Sequence, residues 1–147
     1  LYRFHLQTVL DNRILKEQNV TEEHASMKRC LAEQSERRRR IESQRAERML
    51  LLKGLQGQDI SVRDLESLWG EIGVLFQQQV AIERLITDTE RSLEAKRQEL
   101  LEARKDRKLL ETLKDKRLAE FKEAFARKET KTVDEMAIQR YQERRGR

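Results

Sequence analysis

The side chains able to do chemistry in this 147-residue chain are His5, His24, Cys30 and 27 carboxylates, set against 32 Lys and Arg. One cysteine cannot close an intrachain disulfide, and one thiol with two distant histidines falls short of a four-ligand structural zinc site. No glycine-rich phosphate loop and no HExxH pattern is present, and the Ser and Thr residues are scattered without a histidine at matching spacing. Glu33 with Arg37, Glu36 with Arg40 and Glu123 with Arg127 stand four apart, the spacing of ion pairs on a helix surface rather than of acid–base dyads. The expectation is a non-enzymatic protein with no catalytic residue, no metal and no cofactor.

The elements that carry these residues are legible from composition and period. Charged residues make up 40 %, aromatics 5 %, proline is absent, and the net charge is only +5. Mixed charge with regularly spaced apolar residues excludes a large globular core and favours long solvated helices over disorder. The first residues contain no apolar signal region, and the longest apolar run is Met49, Leu50, Leu51 and Leu52, far short of the ~18 residues of a membrane span. The reading is therefore a soluble, cytoplasmic chain.

In the second half, alternating steps of three and four pick out Leu65, Leu68, Ile72, Leu75, Gln79, Ile82, Ile86, Thr89, Leu93, Lys96, Leu100, Ala103, Arg107 and Leu110. A stripe this narrow is a coiled-coil seam rather than the wide face of a globular helix. The first half repeats the spacing with Leu6, Leu10, Val20, Met27, Leu31, Ile41, Leu52 and Leu55, interrupted by Arg13, Glu17, His24, Gln34, Arg38, Arg45 and Arg48. Long Arg stems cover apolar surface there while their heads reach water.

Between the halves, Gly54 or Gly57 can take the left-handed conformation that ends a helix. Ser61 with Asp64 reads as a capping start, and Ile60 with Leu65 as its hydrophobic staple. The predicted fold is all-α: one long two-helix antiparallel coiled-coil hairpin with unequal arms, spanning 1–147 as a single domain. Helix one covers about 2–55, the turn about 56–60 and helix two about 61–141. If Leu55 lies opposite Ser61, residue n faces roughly residue 116 − n, which leaves a C-terminal overhang from about 116. Thr130, Thr132 and Val133 lower helix propensity there, but a continuous helix is the simpler expectation.

The consecutive arginines Arg37, Arg38, Arg39 and Arg40 fan around a helix at ~100° per residue among Glu33, Glu36 and Glu42, so they form a solvated face and no nucleic acid is expected. Aromatic placement says more. Tyr2, Phe4, Phe121, Phe125 and Tyr141 gather at the predicted open end, and Trp69 and Phe76 near the tip. Large apolar side chains concentrated at the ends mark contacts with partners.

These residues carry a likeness. Phe4-His5-Leu6-Gln7-Thr8-Val9-Leu10-Asp11-Asn12-Arg13 with Glu17 resembles the start of the FliJ family of flagellar type III export proteins. Leu110-Glu111-Thr112-Leu113-Lys114-Asp115-Lys116, then Glu129, Val133-Asp134-Glu135-Met136-Ala137 and Arg140-Tyr141, resembles its C-terminal signature. The resemblance implies a stalk similar to the central stalk of rotary ATPases. Such a stalk binds the hexameric flagellar export ATPase, promotes its assembly and activity, links it to the export gate membrane protein and deals with export chaperones. It would sit peripherally at the cytoplasmic face of the inner membrane, without inserting into it.

Carried onto this chain, the resemblance assigns ATPase contact to Phe4, Leu6, Leu10, Arg13, Leu113, Phe121, Phe125, Asp134, Glu135 and Tyr141. It assigns gate contact to Met49, Leu52, Trp69, Ile72 and Phe76. The alternatives are the equivalent stalk of a virulence type III secretion system and a structural coiled-coil tether or self-associating rod.

Overall fold

A computed structural model describes residues 1–55 and 60–147. Two helices account for nearly all of them, α1 (Gln7–Leu55) and α2 (Val62–Arg145), with no strand among the described residues. The fold is the expected all-α antiparallel hairpin. Continuous helix follows from the absence of proline and from close-range pairs along the exposed faces. Arg97 bonds Glu94 at 2.9 Å, Arg39 bonds Glu36 at 2.9 Å and Arg127 bonds Glu123 at 2.5 Å. Glu36 thus uses the arginine three residues on, in place of the expected Arg40.

The helix starts differ in kind. At α2, Ser61 is the cap: its Oγ accepts from the Asp64 amide at 3.2 Å and its carbonyl from the Leu65 amide at 3.2 Å. Ile60 and Leu65, the expected staple pair, are both half-buried. At α1 no Ser, Thr, Asp or Asn precedes the first turn, and the helix begins at Gln7, five residues later than the sequence reading. The entry is fixed instead by Phe4, which is buried and whose carbonyl accepts from the Gln7 amide at 3.0 Å. Gly54 stays helical and does not form a left-handed end. Gly57 and most of the expected 56–60 turn lie outside the described residues. Through 128–135 α2 is unbroken. Thr130 and Thr132 donate their hydroxyls back to the carbonyls of Ala126 and Lys128 at 3.0 and 2.9 Å, so Thr132 does not open a new helix.

The described residues fall into two packed units: a hairpin unit, Asn19–Leu101, and a terminal unit, Leu1–Gln18 with Glu102–Arg147. In the hairpin unit, Ile41, Ile82 and Ile86 form one buried cluster with Leu31 and Leu75 against it. Leu52, Leu68 and Ile72 form a second with Leu55 and Leu65. Polar bonds flank them: Lys96 to Glu23 at 2.6 Å, Arg45 to Gln79 at 2.9 Å and Arg48 to Glu71 at 3.2 Å.

In the terminal unit, the buried set is Phe4, Leu10 and Ala103, joined by ion pairs. Arg13 meets Asp106 at 3.6 Å, and Glu17 is held by both Arg104 and Arg107, the latter also bonding Glu111 at 2.7 Å. All fourteen seam positions read from the second half are buried or half-buried, as are those of the first half except the exposed Arg48. Among the described residues no large side chain is fully buried, because two helices cover only one stripe of each other.

Register differs from expectation. In each unit these pairs set residue n opposite roughly residue 121 − n, about five residues further along α2 than the sequence reading placed it. The seam pattern fixes which face is buried but not how far one helix is displaced along the other. The consequence at the terminal unit is that Tyr2 reaches Phe121, with ring centroids 5.3 Å apart, and the unpaired part of α2 starts beyond Phe121 rather than near 116.

Candidate partner-binding surfaces

In the terminal unit every residue of 119–147 is exposed while remaining helical through Arg145. A helix of this length without a packed face is marginal in water unless something covers it or many short-range pairs support it. Its large apolar residues are Phe121, Phe125, Val133, Met136, Ile138 and Tyr141, between 42 % and 63 % exposed. Phe121 is the link between the paired and unpaired parts: Tyr2 packs on one side and Phe125 stacks at 6.4 Å on the other. Tyr141 lies under the Arg145 guanidinium at 5.8 Å. Residues 111–147 carry eleven basic and eight acidic side chains, so charged contacts are numerous and individually weak.

The residues expected to meet an ATPase thus divide. Phe121, Phe125, Asp134, Glu135 and Tyr141 are exposed. Phe4 and Leu10 are buried, and so serve the chain's own packing. Leu6 and Leu113 are half-buried, and Arg13, also half-buried, is engaged with Asp106. Tyr2, which spacing alone did not single out for this contact, is brought onto Phe121 because the chain before Gln7 leaves the helical path.

The hairpin unit offers a second surface. Met49, Trp69 and Phe76 are 41 %, 55 % and 50 % exposed, whereas Leu52 and Ile72, expected beside them, are buried in the adjacent cluster and do not reach the surface. Both fall on the seam's three-four spacing, and that signal outranks their nearness to the tip. Arg45 lies 5.0 Å over the Phe76 ring while bonding Gln79, so one face of that ring is already occupied by a cation. Nothing stands within 4 Å of a Cβ placed on Gly70 or Gly73, which leaves the helix surface beside Trp69 open.

No group of three or more metal-ligating side chains occurs among the described residues. The shifted acid–base groups are surface partners. Hydrogen bonds from Arg97 and then Gln98 lower Glu94 to about 2, and Lys96 is raised by its bonds to Glu23 and Glu99. Arg107 is raised by its bonds to Glu17 and Glu111. Hydrogen-bonded ion pairs account for these shifts, and none sits in a cleft of the kind that tunes a catalytic group.

An unpaired α2 segment, a two-helix seam and aromatic side chains at both ends are the context in which likeness to known proteins is decisive. The family model described as flagellar FliJ protein matches residues 2–146. The chain belongs to the FliJ family. That match covers the coiled-coil middle as well as the two end motifs that suggested it, and it makes the chain a component of the flagellar export apparatus, a structural one rather than a known enzyme. No curated protein and no solved structure matches the chain. Among the described residues no helix is long and apolar enough to cross a membrane.

Proposed function

We propose that this FliJ-family chain is the non-enzymatic stalk of the flagellar type III export apparatus. Its terminal unit binds the hexameric export ATPase and promotes its assembly and activity, and its hairpin unit links that ATPase to the export gate at the cytoplasmic face of the inner membrane. The observation that carries this reading is the helical, fully exposed segment beyond Phe121, whose Phe125, Met136 and Tyr141 are left for a partner to cover. Phe125, Asp134, Glu135 and Tyr141 supply the ATPase contact, with Phe121 braced by Tyr2 at its base. Met49, Trp69 and Phe76 supply the gate contact. Many weak polar contacts around a few aromatic anchors suit a stalk that must shift between subunit states. Export chaperones are further partners of the same apparatus.

The test is ATP turnover and hexamer formation by the cognate export ATPase with the chain and with a Phe125→Ala, Tyr141→Ala variant. Stimulation by the chain that is lost in the variant supports the stalk. If the chain changes neither turnover nor assembly, the stalk reading fails and a tether role takes its place.

A further inference from the structure

The face of the terminal unit that carries the Arg13–Asp106 bridge is apolar at its centre and basic at its rim, and it is separate from the aromatic end. Leu109, three residues after Asp106, is 70 % exposed, and Leu113 is half-buried one turn beyond. Both leucines border a cavity on α2 that Thr112 also lines.

Lysines line the cavity beside Leu109 and Leu113. Lys105, Lys108 and Lys116 project from the same stretch of α2; Lys105 has Glu102 at 3.5 Å, and Lys108 and Lys116 have no ion-pair partner among the described residues. Of the nearby carboxylates, Asp106 bonds Arg13, Glu111 bonds Arg107 and Glu120 bonds Arg117, while Asp115 is exposed beside Lys116. Elsewhere along α2, Glu and Arg alternate and neutralise each other, as at Glu94 with Arg97.

We infer that this face docks an acidic amphipathic helix of a partner protein, which would lie along the face of α2 that bears Leu109, Thr112 and Leu113. The stretch from Lys105 to Lys116 runs for about 16 Å, three helical turns, so the matching segment carries apolar residues at i, i+3 or i+4 and i+7 with Asp or Glu on both flanks. The lysines give such a helix its direction of approach, and Leu109 and Leu113 give it the apolar contact. The resemblance assigns Leu113 to the ATPase contact, but Leu109 and the lysines, on which this inference and its test turn, lie outside that assignment.

The experiment uses the full chain and a fluorescent 18-residue synthetic helix with leucines at that spacing and glutamates on its flanks, followed by anisotropy at low salt. A second peptide has lysine for every glutamate. The expected result is binding at least about tenfold tighter for the acidic peptide, weakened about tenfold by Leu109→Gln and by Lys108→Glu, with ATPase stimulation unchanged in both variants. Equal binding of the two peptides, or acidic-peptide binding that both variants leave intact, overturns it. So does Leu109-dependent binding to phosphatidylglycerol vesicles with none to the peptide, which would make the face a lipid contact. Loss of stimulation without loss of peptide binding would count against the ATPase reading alone, so the two fail separately.

Discussion

The hairpin unit and the terminal unit use the same two helices but hold them together differently. The hairpin unit has an isoleucine cluster of Ile41, Ile82 and Ile86, backed by Leu31 and Leu75, and nearer its turn a leucine-rich cluster around Leu52 and Leu68. The terminal unit buries only Phe4, Leu10 and Ala103 and relies on Arg13 with Asp106 and on Glu17 shared between Arg104 and Arg107. Apolar clusters give stability that salt does not screen, whereas partly exposed ion pairs give register and orientation at little net stability. The difference teaches that the chain is anchored by the packing of its hairpin unit and left adjustable in its terminal unit, where the export ATPase is proposed to bind.

The sharpest way to break this contrast is to empty the hairpin unit's core. Ile82→Ala is expected to cost about 2–4 kcal/mol, because it removes a buried side chain from a cluster with few neighbours to collapse into the gap. Urea denaturation followed by circular dichroism reads it. A loss no larger than that of an exposed control, Leu85→Ala, would show that the isoleucine cluster does not anchor the pair.

The helix starts give the next effect. Ser61→Ala removes the acceptor of the Asp64 amide and is expected to cost about 1 kcal/mol, since a lost cap leaves that donor to water alone. At α1 no side-chain cap exists to remove, and the corresponding change is Phe4→Ala, which opens the buried contact that fixes the entry. Hydrogen exchange at the Gln7 amide should accelerate in Phe4→Ala and stay unchanged in Ser61→Ala; acceleration in both would mean that the two starts are not independent.

In the terminal unit, Glu17→Gln is expected to weaken the pairing of the two helices less than the core change, and by an amount that shrinks as salt is raised. Both Arg104 and Arg107 lose their shared carboxylate, yet each stays close to water. Denaturation at low and high salt separates this from a packing defect, whose size would not depend on salt.

Much of the hairpin is readable in the sequence, though its division into two units is not. The seam positions from Leu65 to Leu110 are set by period alone, because a side chain three or four residues from its neighbour must share its face, and the Ser61 start follows from one hydroxyl at the right distance from an amide. The displacement of α1 along α2 was not readable, since a seam with a three-four repeat pairs with itself at several offsets and local pattern cannot choose between them. That offset decides whether Phe121 stands free or packs on Tyr2. Of the residues assigned to partners, Trp69, Phe76 and Phe125 lie off the seam and are exposed, whereas Leu10, Leu52 and Ile72 lie on it and are buried. Leu109 lies off the seam that runs through Leu110, and its 70 % exposure sets it apart from the core leucines.

The smallest expected effect isolates a pair that holds no helices together. Glu94 bonds Arg97 and Gln98 on the exposed face of α2, and those bonds favour the charged carboxylate, lowering it from 4.5 to about 2. A folded-state value below the unfolded one stabilises the helix at pH above 4.5, and that contribution fades as pH falls through about 2. Carbon-detected NMR titration of the Glu94 carboxyl should therefore show a midpoint near 2 in the native chain and a return toward 4.5 in Arg97→Ala. Because the pair is solvent-exposed and lies within one helix, the variant should leave the unfolding midpoint at neutral pH almost where it was. A clear destabilisation by Arg97→Ala would mean that surface pairs along α2 carry more of the fold than the apolar clusters allow, and the contrast between the two units would then have to be drawn from charge rather than from packing.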